Sequence, residues 1–155
     1  MRRKIYRYLQ KWKQSESRKP LLIRGARQVG KSYLIKQFGK EFEYFAEVNF
    51  ELVPEFVKIF ENDLHPQTLI PKISAALKCK IEPGRTLLFL DEIQKCPQAV
   101  TSLRYFYELM PDLHVIAAGS LVDFIIGKIG IPVGRVRNLY MYPLSFAEFL
   151  FATDN

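Results

Sequence analysis

From Gly25 to Ser32 the chain reads Gly-Ala-Arg-Gln-Val-Gly-Lys-Ser, which places two glycines, a lysine and a hydroxyl in the spacing GxxxxGK(S/T). Successive backbone N–H groups from Gly25 through Ala26, Arg27, Gln28, Val29 and Gly30 can point into one concavity. The first turn of a following helix adds unpaired donors and its positive dipole end. Such a nest suits the polyphosphate of a nucleotide. Lys31 would reach the β and γ phosphates as a point charge, the Ser32 hydroxyl would be one ligand of a bridging Mg²⁺, and Tyr33 continues the wall of the site. The alternative is a glycine-containing turn with a surface lysine, but average composition produces this pattern by chance in only roughly one chain of this length in a few hundred.

A second cluster lies at Asp91 and Glu92, two carboxylates that follow the apolar run Leu87-Leu-Phe-Leu90. Asp91 would hold Mg²⁺ directly or through water, and Glu92 would orient and deprotonate a water for in-line attack on the γ-phosphoryl group. Taken alone, an acidic pair after a strand reads as a turn or a helix cap; the upstream loop favours the metal-and-base reading. A third run, His114-Val-Ile-Ala-Ala, leads into Gly119-Ser120. There the Ser120 hydroxyl could sense the γ-phosphate or the lytic water, or cap the helix expected over Leu121 to Ile126.

These groups need a frame that brings strand ends together. Leu21 to Ile23 reads as a buried parallel strand ending at Arg24, and Tyr33 to Phe38 as a helix stopping near Gly39, the order that a phosphate loop requires. Tyr44 to Asn49 is expected as a second strand, Pro54 to Phe60 as a helix opened by proline, and Gln67 to Leu77 as another. Glu82-Pro-Gly-Arg85 is a turn before the acidic strand, and a helix over Ala99 to Leu109 lies between Pro97 and Pro111. Leu139 to Tyr142 is the last expected strand. Alternating strands and helices imply an α/β fold: three α/β/α layers around a mostly parallel sheet of about five strands, with the ligand at the C-terminal strand ends.

The formal charge of +7 has a local origin. Residues 1–20 contain eight Lys or Arg and one Glu, while the remainder holds fifteen of each sign. Ile5, Tyr8, Leu9 and Trp12 recur at helical spacing and would pack on the core, with Arg2, Arg3, Lys4, Arg7, Lys11 and Lys13 around them. That basic face is either plain solvated surface or a contact for nucleic-acid phosphates, a partner protein or anionic lipid. No run approaches the roughly 18 apolar residues that span a bilayer, and no apolar signal core follows the N-terminal charge, so a cytoplasmic protein without a membrane partner is expected. Cys79 and Cys96 lack metal spacing and read as free thiols; His65 and His114 sit in no nucleophile or metal cluster.

The chain resembles the bacterial and archaeal AAA-like P-loop ATPases that carry an uncharacterised C-terminal domain after the ATPase core. The resemblance covers nearly the whole length. It rests on the Arg-rich N-terminal helix with Leu9 and Trp12, LLIRGARQVGKS from Leu21, LLFLDEIQ from Leu87, VIAAGSL from Val115, and PVGRVRNLYMYPLSFAEFL from Pro132 to Leu150. It implies ATP and Mg²⁺ as ligands, phosphate and metal roles for Lys31 and Ser32, metal and water roles for Asp91 and Glu92, and a sensor strand ending at Ser120. That strand would lie between the other two and so put Ser120 between Lys31 and Asp91. Arg135 falls on the arginine of the GRV element. It could reach a nucleotide in its own subunit or a neighbour's, or only support the sheet; with Arg137 it could share one face of a short strand and act on an anion, or the two could form a plain solvated strand face. The resemblance also implies that residues 1–20 form a basic helix packed on an ATPase core at 21–155, that this core is truncated before the lid and C-terminal domain that relatives carry, and that self-association could complete the site.

An Mg²⁺-dependent ATPase whose turnover drives conformational change, with a DNA-related role suggested by the basic helix, is the leading expectation. A small-molecule kinase would need an acceptor site that Leu52 to Lys80 does not show. A GTPase lacks an Asn-Lys-x-Asp stretch after the acidic strand. A module that binds ATP without hydrolysing it is the non-enzymatic alternative.

Overall fold

Apolar runs too hydrophobic to be half exposed form the middle of the sheet. In the computed structural model, which describes residues 2–120, 122–130 and 134–142, the strands are β1 (Leu21–Arg24), β2 (Tyr44–Asn49), β3 (Thr86–Asp91), β4 (His114–Gly119) and β5 (Arg137–Tyr140). Their order is β2-β3-β4-β1-β5, and every pairing is parallel. All residues of β1, β3 and β4 are buried, as expected for parallel strands covered on both faces. The three-layer α/β/α arrangement of a P-loop NTPase follows. Helices α1 (Arg2–Gln14) and α2 (Lys31–Gly39) cover one face; α3 (Pro66–Leu77), α4 (Pro97–Leu109) and α5 (Val122–Ile129) cover the other.

Most element bounds fall within a residue or two of the sequence reading, and the small shifts have local causes. Pro66 and Pro97 each occupy the first helical turn, where a missing N–H costs nothing, so α3 and α4 start earlier than expected. The segment Pro54–Phe60 is a 3₁₀ helix. The last strand lies two residues upstream of the expected Leu139 to Tyr142, because the Arg137 N–H donates to Pro20 O at 2.9 Å and sets Arg137 opposite Leu21. The Phe146 to Phe151 helix, the stretch Pro143 to Leu150, and Leu121 and Pro132 lie outside the described residues.

Helix α1 docks through the stripe read from its sequence. Leu9 and Trp12 are buried against Leu21, Ile23, Phe38 and Ile116, with Ile5 and Tyr8 packed at the margin. Polar bonds fix the helix at both ends of this contact. The Trp12 Nε1–H donates to Lys19 O at 2.7 Å, Tyr6 and Gln10 both donate to Glu41 Oε1, and Arg18 donates to Asp112 O at 3.0 Å. Lys13 Nζ donates to Glu41 O at 2.6 Å and lies 4.4 Å from the Phe42 ring. Lys13 is thus engaged in holding the helix down. Lys4, Arg7 and Lys11 remain exposed; the side chains of Arg2 and Arg3 lie outside what is described.

His114 completes this seam. Its ring lies edge-on to Trp12 and Phe42, at 5.5 and 5.0 Å between centroids, and its Nε2–H donates to Lys13 O at 3.0 Å. Its Nδ1 is buried without a hydrogen-bond partner. Burial, reinforced by the charges of Arg18 and Lys13 and opposed by the Lys13 carbonyl and Asp112, pushes the imidazole down to about 4 from 6.5. A folded-state value below the unfolded one means that the neutral ring stabilises the fold above about pH 6.5. That contribution erodes as the pH falls toward 4 and is worth roughly 3 kcal/mol in full. Melting temperatures from pH 7.5 to 4 should therefore fall more steeply for wild type than for His114→Gln, which keeps an N–H donor but does not titrate.

Candidate functional site

The loop between β1 and α2 has the backbone that a phosphate nest needs. Gln28 and Gly30 are left-handed, with φ of 64 and 95, so the peptide N–H groups turn inward ahead of α2. Gly25 is required for a different reason: a Cβ there would lie 2.4 Å from Met141 O, in the segment that follows β5. Arg27, Gln28, Gly30, Lys31, Ser32, Tyr33, Glu51 and Glu92 line an open cleft of about 300 Å³. Hollows of about 400 and 410 Å³ lie along α1 and α2 around Glu41, but they contain no comparable loop.

Within the cleft the expected partners meet. Lys31 is buried and its Nζ donates to Gly25 O at 2.8 Å and Ala26 O at 2.6 Å. The lysine thus folds back over the loop it would leave for a phosphate. Ser32 Oγ donates to Asp91 Oδ2 at 2.7 Å, and the Glu92 N–H donates to Asp91 Oδ1 at 2.9 Å. Burial pushes the Lys31 ammonium down, against the attraction of Glu92 and Asp91. Burial likewise pushes the Asp91 carboxyl up, against its bond from Ser32. Both charged forms therefore bear a desolvation cost that an opposite charge in the cleft would offset.

The third strand end is also in place. Asp91 pairs with Ala118 and Arg24 with Gly119, so Ser120 follows directly from the strand that separates the loop strand from the acidic one. Its hydroxyl is buried and has no hydrogen-bond partner among the described residues.

Arg135 is not brought to this cleft. It lies in the turn before β5, at the N-terminal edge of the sheet, and its Nε donates to Glu108 Oε1 at 2.5 Å near the end of α4. Arg137, on the strand itself, donates to Tyr8 Oη at 3.3 Å. The two arginines donate to different partners, and Arg135 is not among the residues that line the cleft. The physical reason is register. With Arg137 opposite Leu21, the GRV segment falls below the sheet, while ligands bind at its upper edge.

Two residues of the site were not singled out from the sequence. Glu51 reaches the cleft because Asn49 Oδ1, at the end of β2, accepts the N–H groups of Glu51 and Leu52 at 3.0 Å each and turns the chain there. Gln94 Nε2 donates to Glu92 Oε2 at 2.5 Å. An Asx turn signal at Asn49 and the Glu-x-Gln spacing after the acidic strand were the available cues.

A family model described as AAA domain matches residues 17–150. No curated protein matches the chain. Among solved structures, a chain from "Structure of Drosophila ORC bound to DNA" superposes with a TM-score of 0.66 at 16% sequence identity, over 99% of this chain and 46% of that one. The likeness is one of fold, and the present chain spans about half the length of the matched one.

Proposed function

The chain belongs to the AAA domain family, which carries ATP binding with it, and from the geometry of the cleft we propose an Mg²⁺-dependent ATPase whose turnover drives a conformational change. The observation that supports this best is the convergence of Lys31, Ser32, Asp91 and Glu92 from two separate strand ends, with Ser32 Oγ on Asp91 Oδ2 at 2.7 Å. Hard oxygen donors paired in this way, one of them a carboxylate raised by burial, fit a divalent cation. Ser32 and Asp91 would hold Mg²⁺, which when bound screens the charge of the β and γ phosphates. The backbone from Gly25 to Ser32 receives the phosphates, and Lys31 exchanges its two carbonyl partners for phosphate oxygens. Tyr33 and Arg27 flank the entrance, Glu92 orients the attacking water and takes its proton, and Ser120 supplies a buried hydroxyl beside the γ-phosphate. Arg135 can act on a phosphate only from a neighbouring subunit, which makes self-association part of that role.

Calorimetry with Mg-ATP, Mg-GTP and Mg-ADP together with phosphate release tests the reading. Binding of Mg-ATP with release of phosphate supports it; binding without release makes the chain a non-hydrolysing module; no binding by folded protein removes it.

A DNA-related role draws on exposed Lys4, Arg7 and Lys11 along α1. Affinity for duplex or single-stranded DNA should then fall steeply between 50 and 200 mM salt on the scale of about one counterion per phosphate contact. Absence of binding at low salt would remove the proposal.

A further inference from the structure

Gln94 stands between the carboxylate of the site and the end of β4. Its Nε2 donates to Glu92 Oε2 at 2.5 Å, while its Oε1 is buried without a hydrogen-bond partner. Packing fixes where that oxygen sits: a Cβ on Gly119 would come 2.3 Å from Gln94 Oε1 and 2.9 Å from Val122 Cγ2. The carboxamide can turn back over two residues because Glu92 is left-handed, with φ 55, and Ile93–Lys95 is a single 3₁₀ turn. Such a backbone in a residue other than glycine persists only where neighbouring contacts sustain it. Here the Asp91 carboxylate holds the Glu92 N–H and so the backbone, while Gln94 holds only the tip of the side chain.

A general base works when a third group fixes its orientation. The Glu92 side chain has three rotatable bonds, and the bond from Gln94 pins one carboxylate oxygen while leaving the other for a water. The groups around it include Lys31, Asp91, Arg27, Gln28, Ser32 and Glu51; Gln94 is the one whose neutral side-chain N–H already lies on the carboxylate among the described residues, holding it without replacing a phosphate or metal contact. We propose that Gln94 is the positioning residue of this site, aiming Glu92 through its carboxamide and joining it to the end of β4 beside Ser120. The inference rests on the reading of Glu92 as the base of an ATPase.

Gln94→Leu removes the donor at nearly constant volume. The expected result is a kcat lower by about tenfold, with KM and the calorimetric Kd for Mg-ATP within about twofold of wild type and the melting temperature unchanged. Gly119→Ala, whose Cβ would take the place of Gln94 Oε1, should reproduce the split. In ¹⁵N-labelled protein the Gln94 side-chain amide proton should move upfield on Glu92→Gln, because a neutral acceptor replaces a carboxylate. An unchanged kcat in Gln94→Leu overturns the proposal. So does a loss matched by weaker binding or a lower melting temperature, or an amide resonance that Glu92→Gln leaves in place. Wild-type protein that binds Mg-ATP and releases no phosphate removes the ATPase reading itself and takes this inference with it, a different result from a fully active Gln94→Leu.

Discussion

Lys31→Ala should abolish measurable Mg-ATP binding, weakening it by on the order of a hundredfold or more, since each charge-assisted bond to a phosphate contributes roughly 1.5–3 kcal/mol. The lysine gives up little else when it is replaced. Its present partners are the carbonyls of Gly25 and Ala26, and burial already disfavours its charge. The nucleotide-free melting temperature should therefore shift by no more than a few degrees, while the rise in melting temperature that Mg-ATP gives wild type should vanish. Thermal melts with and without Mg-ATP check both. Retained stabilisation by Mg-ATP would mean that the loop is not the phosphate site.

Glu92→Gln should separate binding from turnover. The substitution keeps the shape, the left-handed backbone and an acceptor for Gln94, and removes only the capacity to take a proton. A loss of about 10²–10⁴ in kcat is expected with Kd for Mg-ATP unchanged. Single-turnover phosphate release and calorimetry on the same sample measure the two. A variant that loses both together would place Glu92 in nucleotide binding instead of catalysis.

What the sequence made legible is what depends on neighbours along the chain. The phosphate loop, the acidic strand and the Ser120 strand end each combine an apolar run with polar residues immediately after it, and parallel strands put such ends on one edge. The face of α1 that packs on the sheet was legible for the same reason, since Leu9 and Trp12 repeat at helical spacing. Arg135 was not legible, because alternation with Arg137 looks the same whichever residue begins the strand. The start was decided by Pro20 O and Leu21, distant in sequence. Lys13 was one of several basic residues until Glu41 and Phe42 claimed it. Gln94 gained its place only through the left-handed turn at Glu92, which no local propensity announces.

The strand order bears on how the chain can assemble as it is made. β2 and β3 are neighbours in sequence and in space, but β1 lies between β4 and β5, both of which come much later in the chain than β1. Strand β1 must therefore wait, unpaired and wholly apolar apart from Arg24, until β4 exists. A nascent chain halted before His114 would hold the β2-β3 pair and a phosphate loop with no platform. Nucleotide binding should accordingly appear late and abruptly with chain length, after the β4 segment is complete.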